Sequence, residues 1–372
     1  MNEQRLVETF FKYVTIDSES LFEREFAVEL AKDFENLGCS IHFDKAGEKI
    51  GGNIGNLYCT FRGNDEKESI MFSAHMDTVK PGKNIKPVVR DGMIKSFGDT
   101  ILGADDKAGI AVIIELLRRI KEENIDCPTI EFIFTIAEEM GLKGALNLDY
   151  SRINSKSGII LDVGGKAGKI ISAAPGHVVL DGTFIGVSSH AGSNPESGKS
   201  SVRMACEAIS NMKLQRIDRE TTANISGMFS DCATNIISER TRILGEVRSL
   251  NPEKLEKQMN HMLGKIEKAC KKYNGKFEGG FTETYKSYKY PEKDEFIEKL
   301  RMACENEGVD SKICASGGGS DANIMIENGI KAINFSCGME KSHSLEEEVS
   351  IEELKKVVNI LVEFIKKNLK KS

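Results

Sequence analysis

The sequence lacks several features that would indicate particular classes of protein. Its 372 residues contain no apolar run near the roughly 18 residues of a membrane span, and no internal repeat or low-complexity segment. The stretch Met1–Arg5 is not a cationic start followed by unbroken apolar residues, so we expect no signal peptide. The nine cysteines include no Cys-x-x-Cys pair, which favours reduced thiols in a cytoplasmic protein over a disulfide framework.

The sequence also has no long run of residues with charge of one sign. Charged residues make up 29% of the chain, hydrophobic residues 40%, and the formal net charge is −6. This balance predicts a soluble globular protein and argues against nucleic acid or a membrane surface as the main partner. The chain exceeds the roughly 250–300 residues at which one hydrophobic core stops growing, so we expect two domains.

Strands alternate with helices in the outer parts of the chain. Short runs rich in β-branched and aromatic residues predict buried strands at Ile70–Ala74, Ile130–Ile136, Gly158–Asp162 and Ala332–Ser336. The helical spacing of apolar residues predicts a long amphipathic helix over Ile351–Leu369. We therefore expect an α/β fold, with a central mixed sheet and helices on both faces.

The middle of the chain has a different order of elements. It reads strand, helix, strand, strand, helix, strand, and its third predicted strand spans Asn235–Leu250. This βαββαβ order is the ferredoxin-like plan of four antiparallel strands covered on one face by two helices. The sequence thus predicts one α/β domain over residues 1–176 and 291–372, and an inserted α+β domain over residues 177–290.

Histidines and acids follow the predicted strands of the α/β domain. Each of these residues alone is weak evidence, since a His-x-Asp or a Glu-Glu pair is usually an ordinary polar turn. Ligands bind outside the carboxyl ends of the strands in open α/β sheets, so we expect these side chains to meet in one crevice. The set comprises His75, Asp77, Asp105, Glu138, Glu139, Asp162 and His343.

Two imidazoles and several carboxylates in one crevice predict a metal centre. Unpaired buried carboxylates are costly, and a pair of divalent cations removes that cost. One carboxylate can bridge two cations about 3.5–4 Å apart. Histidine and carboxylate ligands without cysteine suit zinc, with cobalt or manganese as alternatives.

Six short motifs, in order along nearly the whole chain, resemble those of one enzyme family. The family is the dinuclear-metal exopeptidases, which include peptidase T, glutamate-releasing carboxypeptidases and aminoacylases. Two of the motifs, HMDTV and GADDKAG, favour the peptidase T branch. The six motifs are SAHMDTV, GADDKAG, AEEMG, ILDVGG, SSHAGSNPESGKS and EKSHSLEE.

The resemblance implies a set of metal ligands. It implies two divalent metal ions, and Asp106 would be a neighbour of the ligands, joined to the preceding residue by a cis peptide bond. One ion would be bound by His75 and Asp162, the other by Glu139 and His343, and both by the bridging Asp105.

The resemblance also implies the catalytic roles. Glu138 would be the general base that deprotonates the metal-bridging water and passes the proton to the leaving amine. Asp77 would orient His75.

Four residues outside the metal centre would bind substrate. The resemblance implies that His190 donates a hydrogen bond to the tetrahedral oxyanion, and that Asn235 and Arg248 bind the terminal carboxylate or backbone of the substrate. Gly318 lies in a glycine-rich stretch that resembles the family's substrate loop. Two simpler interpretations stay open: a turn histidine at His190 and a surface ion pair at Arg248.

The resemblance implies a metal-dependent aminopeptidase for small peptides, with tripeptides as the first expectation. An N-acyl amino acid amidohydrolase or a carboxypeptidase with the same dinuclear site is the alternative enzyme. A catalytically silent binding protein is the alternative outside enzymes. The inserted domain would act as a lid and a dimerisation surface, so we expect a homodimer.

Overall fold

The structure is a computed structural model that describes residues 2–291 and 293–368. The chain folds into two compact units. The outer unit comprises residues 1–172, 290–315 and 320–372, and the inserted unit comprises residues 173–289 and 316–319. The predicted insertion over 177–290 therefore starts four residues earlier, and the stretch that contains Gly318 belongs to the inserted unit rather than to the α/β domain.

Ten α-helices lie within the described residues. The helices are α1 Glu3–Val14, α2 Arg24–Asn36, α3 Ala46–Ile50, α4 Ala104–Glu122, α5 Lys143–Leu146, α6 Ser201–Ser210, α7 Pro252–Tyr273, α8 Glu295–Asn306, α9 Asp321–Glu327 and α10 Ile351–Asn368. The last residue of the predicted C-terminal helix, Leu369, lies outside the described residues.

The same residues form eighteen strands. The strands are β1 Ser40–Phe43, β2 Leu57–Phe61, β3 Ile70–His75, β4 Pro87–Arg90, β5 Met93–Ser96, β6 Ile130–Thr135, β7 Ser157–Ile160, β8 Lys169–Ala174, β9 Gly176–Ile185, β10 Gln215–Arg216, β11 Thr221–Phe229, β12 Arg240–Ser249, β13 Lys276–Tyr285, β14 Tyr288–Lys289, β15 Lys312–Ala315, β16 Lys331–Phe335, β17 Met339–Glu340 and β18 Glu348–Ser350.

A mixed sheet organises the outer unit. Its strands follow the order β1-β2-β6-β3-β7-β16-β8, and β15 pairs with β8. The four central strands β6, β3, β7 and β16 run parallel, while β1, β2 and β8 pair antiparallel at the two sides. Every residue of β3 and β6 is buried, as expected for parallel strands that are covered on both faces. The carboxyl ends of the four parallel strands therefore meet at one edge.

Helices pack on this sheet and complete one hydrophobic core. Helix α4 packs on β3 and against α1 and α10, while α2 packs on β1 and β2. Helix α4 is buried around most of its circumference, which explains its nearly continuous apolar sequence. A second, four-stranded sheet of order β17-β18-β5-β4 also belongs to the outer unit.

The inserted unit has its own antiparallel sheet and its own core. The strand order is β10-β11-β12-β9-β13, and helices α6 and α7 pack on the sheet. The four long strands and two helices follow the predicted βαββαβ order, to which the short β10 is added. The predicted strand Asn235–Leu250 is too long: Asn235 lies in a turn, and β12 starts at Arg240.

Candidate active site

The predicted metal ligands of the outer unit follow the ends of its parallel strands. His75 is the last residue of β3, Glu138 and Glu139 follow β6, and Asp162 follows β7. His343 lies in the turn between the short strands β17 and β18 of the second sheet. Strand direction therefore brings most of the set to one edge of the main sheet, as expected for ligands of an α/β fold.

Asp105 lies between the two histidines and directs one carboxylate oxygen towards each. His75 Nε2 is 3.1 Å from Asp105 Oδ1, and His343 Nε2 is 3.3 Å from Asp105 Oδ2. Asp162 lies on the side of His75, at 3.9 Å, and Glu139 lies on the side of His343, at 2.8 Å. The side chains thus form two groups of three that share Asp105.

The ligand atoms of each group are close enough to hold one metal ion. Within the groups His75, Asp105, Asp162 and Asp105, Glu139, His343, these atoms all lie within 4.8 Å of one another. Asp105 has non-helical φ and ψ angles of −84° and 100° at the start of α4, and the peptide bond to Asp106 is cis, as expected. Asp106 turns to a different partner, since its Oδ2 accepts the backbone N–H of His75.

Ion pairing shifts the pKa values of the two histidines. Burial disfavours the charged form of His75, but its hydrogen bonds with Asp105 and Asp77 outweigh burial and raise its pKa well above the usual value. Hydrogen bonds with Asp105 and Glu139 raise the pKa of His343 to about 10. Although burial favours the neutral form of Asp105, its hydrogen bonds with the two histidines lower its pKa.

The remaining carboxylates have too little positive charge near them. Burial raises the pKa of Glu138 well above its usual range, and the neighbouring Asp162 adds to this rise. Burial also raises the pKa of Asp162, with Asp105 as the next cause. Two divalent cations would neutralise this excess of negative charge, so the residues present fit a dinuclear metal centre.

Asp77 connects several parts of the centre. It is fully buried, and its Oδ1 accepts the backbone N–H of Glu138 at 2.9 Å, while Oδ2 lies 3.3 Å from the backbone N of Glu139. The Ser20 hydroxyl donates to Oδ2 at 2.6 Å. His75 Nδ1 is 2.9 Å from the Asp77 main-chain oxygen and 3.4 Å from its Oδ1, which directs His75 Nε2 towards Asp105.

The four predicted substrate residues lie in the inserted unit, in two pairs. His190 is exposed, and its Nδ1 accepts the backbone N–H groups of Gly192 and Ser193 at 3.1 and 3.0 Å. The proton of a neutral ring is therefore on Nε2, which can donate. The main-chain oxygen of Asn235 accepts the Ala191 N–H at 2.8 Å, so Asn235 adjoins His190.

Arg248 and Gly318 form the second pair. Arg248 makes a bidentate ion pair with Glu246, at 3.0 and 3.1 Å. A Cβ atom on Gly318 would lie 3.5 Å from Arg248 Nη1, so a side chain here would approach the guanidinium group. His177, which no sequence motif singled out, also contacts Glu246: its Nε2 lies 3.1 Å from Oε2, the oxygen that accepts from Arg248 Nη2.

Comparison with known proteins decides the family. Residues 71–367 match the sequence profile of Peptidase family M20/M25/M40. The chain is a member of this family. A relative from Bacillus subtilis strain 168, described as uncharacterized protein YqjE, is 43% identical over 370 residues, which cover 100% of both proteins.

Two solved structures align with nearly the whole chain. Aminopeptidase PepT from Bacillus cereus ATCC 10987 is 41% identical with a TM-score of 0.91, and a tripeptidase from Staphylococcus aureus subsp. aureus Mu50 is 36% identical with a TM-score of 0.94. Each alignment covers 98% of both chains. The predicted fold class, the resemblance to the peptidase T branch and the metal-dependent exopeptidase class are confirmed.

Among residues 2–291 and 293–368, no helix combines the length and the apolar character needed to cross a bilayer.

Proposed function

We propose that this M20 peptidase is a metal-dependent aminopeptidase that hydrolyses small peptides, with tripeptides as its preferred substrates. The position of Asp105 carries the proposal, because one oxygen faces each histidine and so joins two groups of ligands. The names of the two solved relatives, an aminopeptidase and a tripeptidase, support the substrate class.

We propose zinc as the metal, with cobalt or manganese as alternatives. His75, Asp105 and Asp162 would hold one ion, and Asp105, Glu139 and His343 the other. Two divalent cations at these ligands would polarise the scissile carbonyl and lower the pKa of the attacking water.

The residues of the chain would then perform the proton transfers. A carboxylate oxygen of Glu138 lies within 4.8 Å of ligand atoms of both His75 and Glu139. In our proposal Glu138 takes a proton from the attacking water and passes it to the leaving amine. Asp77 holds the backbone of this base and the ring of His75.

The inserted unit would supply the substrate contacts. We propose that His190 donates from Nε2 to the oxyanion, and that Arg248, Asn235 and Gly318 bind the peptide. A homodimer formed through this unit and a cytoplasmic location stay predictions.

A panel of peptides tests the proposed function. Purified protein loaded with Zn²⁺ should release the N-terminal residue of free tripeptides, while the N-acetylated forms should be hydrolysed at least about 100-fold more slowly, because an interaction with the charged amine is lost. Chelation should abolish hydrolysis and added metal should restore it. Efficient hydrolysis of N-acetyl amino acids would instead favour the amidohydrolase, and protein without bound metal or hydrolysis would favour a silent binding protein.

Replacing Arg248 with lysine should raise KM for tripeptides about tenfold with little change in kcat, since lysine keeps the charge but cannot make a bidentate contact. Steady-state kinetics with free and C-terminally amidated tripeptides would measure the effect. The amidated peptide should show a similar KM with both proteins, and Arg240→Lys, at an exposed arginine of β12, is the control. An unchanged KM for the free peptide would leave Arg248 as the ion-pair partner of Glu246 alone.

A further inference from the structure

Glu347 lies in the outer unit and receives hydrogen bonds from a distant part of the sequence. Its side chain is 1% exposed, although it belongs to the acidic run Glu346–Glu348. Its Oε2 accepts the backbone N–H groups of Leu102 and Gly103 at 2.8 and 2.7 Å. Its Oε1 accepts the backbone N–H of Asp105 at 2.9 Å.

The three N–H groups that Glu347 accepts lie at or immediately before the start of α4. The first N–H groups of a helix have no acceptor within the helix, which applies here to Asp105, the second residue of α4. The N-cap residue, Gly103, has no side chain that could accept the Asp105 N–H. The Glu347 carboxylate, from about 240 residues away in the sequence, accepts it instead, together with the N–H groups of Leu102 and Gly103.

The Glu347 side chain also connects the segment that carries Asp105 with the segment that carries His343. Glu347 follows His343 by four residues, and the turn between them is closed by a hydrogen bond from the Glu347 N–H to the Ser344 main-chain oxygen at 3.1 Å. At the other end, Glu347 holds the main chain of Asp105 itself. A shift of this contact would move Asp105 relative to His343, and those two side chains are only 3.3 Å apart.

We propose that Glu347 is a positioning residue for the metal centre, which fixes the Asp105 main chain so that its two oxygens face the two histidines. The proposal rests on the proposed function only in requiring that this centre binds divalent cations. Glu347 binds no metal ion in this proposal. It raises the affinity for metal by holding Asp105 and His343 in their binding geometry before the ions arrive.

The test is a metal titration of the full-length protein, without substrate. Glu347→Gln keeps the shape of the side chain but places an NH₂ donor against backbone N–H groups, so at least one of the three hydrogen bonds is lost. Competition between the apo protein and a fluorescent zinc chelator should show Zn²⁺ binding weakened by about 10–100-fold. The absorption spectrum of the Co²⁺-loaded protein should also change, since it reports ligand geometry.

Glu346→Gln is the matched control. It removes the same charge one residue away, from an exposed side chain, and should leave the zinc affinity within about threefold of wild type. Equal losses in the two variants would show that only the charge matters and would overturn the proposal. Glu347→Asp keeps the charge but shortens the side chain, and should weaken zinc binding in the same direction, which provides a second variant if Glu347→Gln does not fold.

The titration separates positioning from a purely structural role. If Glu347 only stabilised the fold, the apo variants would unfold at a lower temperature but bind Zn²⁺ with wild-type affinity, and the proposal would be wrong. A wild-type protein that binds no Zn²⁺ would also overturn it. Because no peptide is present, wild-type protein that binds zinc but cleaves no peptide would contradict the proposed function and leave the role of Glu347 intact.

Discussion

Replacing Glu138 with glutamine should lower kcat for a tripeptide by about 10³–10⁴-fold while the protein keeps its metal ions. The amide has nearly the same shape as the carboxylate but cannot take a proton from water. Glu138 carries a carboxylate oxygen within 4.8 Å of His75 and Glu139 ligand atoms, so the change is made beside the centre. Steady-state kinetics and metal analysis by mass spectrometry would measure the two quantities.

Glu35→Gln is a suitable control for this experiment. Glu35 is an exposed residue of α2 in the same unit, so the control removes one negative charge without touching the centre. It should keep wild-type kcat. A Glu138→Gln protein with more than about a tenth of the wild-type kcat would exclude Glu138 as the general base.

Replacing Asp105 with alanine should have the largest effect, because in the proposed centre it removes the ligand that joins the group of His75 and Asp162 to the group of Glu139 and His343. We expect the bound zinc to fall from two ions per chain to less than one at micromolar free zinc. Peptide hydrolysis should fall by at least about 10⁴-fold, since the electrophile, the activated water and the orientation of the substrate are lost together.

His343→Ala is the variant with which Asp105→Ala should be compared. This histidine belongs only to the group that contains Glu139. Its loss should therefore weaken the binding of the ion at that group and leave the ion at His75 and Asp162 in place. We expect about one zinc per chain in this variant. Two ions retained in Asp105→Ala, or the same stoichiometry in both variants, would contradict a centre built around Asp105.

Strand direction made the main part of the centre predictable from the sequence. The runs that end near His75, near Glu138 and near Asp162 are short and apolar, and their parallel pairing places the following residues at one edge. The inserted unit was predictable for a similar reason, because the order of its elements is preserved even where the boundaries differ. The predicted start of β12 at Asn235 was wrong because residues with strand-like character begin before the pairing of β12 with β9, which starts at Arg240. Asn235 itself lies in a turn.

The positions of the remaining parts depend on contacts that no local pattern reveals. His343 lies in a hairpin whose two strands have two and three residues, too short for an alternating pattern. Within the run Glu346–Glu348 the sequence reads as three surface charges, yet Glu347 and Glu348 are buried and Glu346 is exposed. Glu347 is buried against N–H groups at the start of α4, about 240 residues earlier, while Glu348 forms ion pairs with Lys95 and Lys341.

The strand pair β8 and β14 has a consequence for how the chain folds. Ala174 pairs with Tyr288 and Ala173 with Lys289, so the main segment of the inserted unit, residues 173–289, begins and ends on neighbouring antiparallel strands, about 5 Å apart. If residues 173–289 were a disordered loop, bringing its two ends together would cost loop-closure entropy, which would destabilise the outer unit. The insertion closes its own loop by folding around its own core, so the outer unit bears little of that cost.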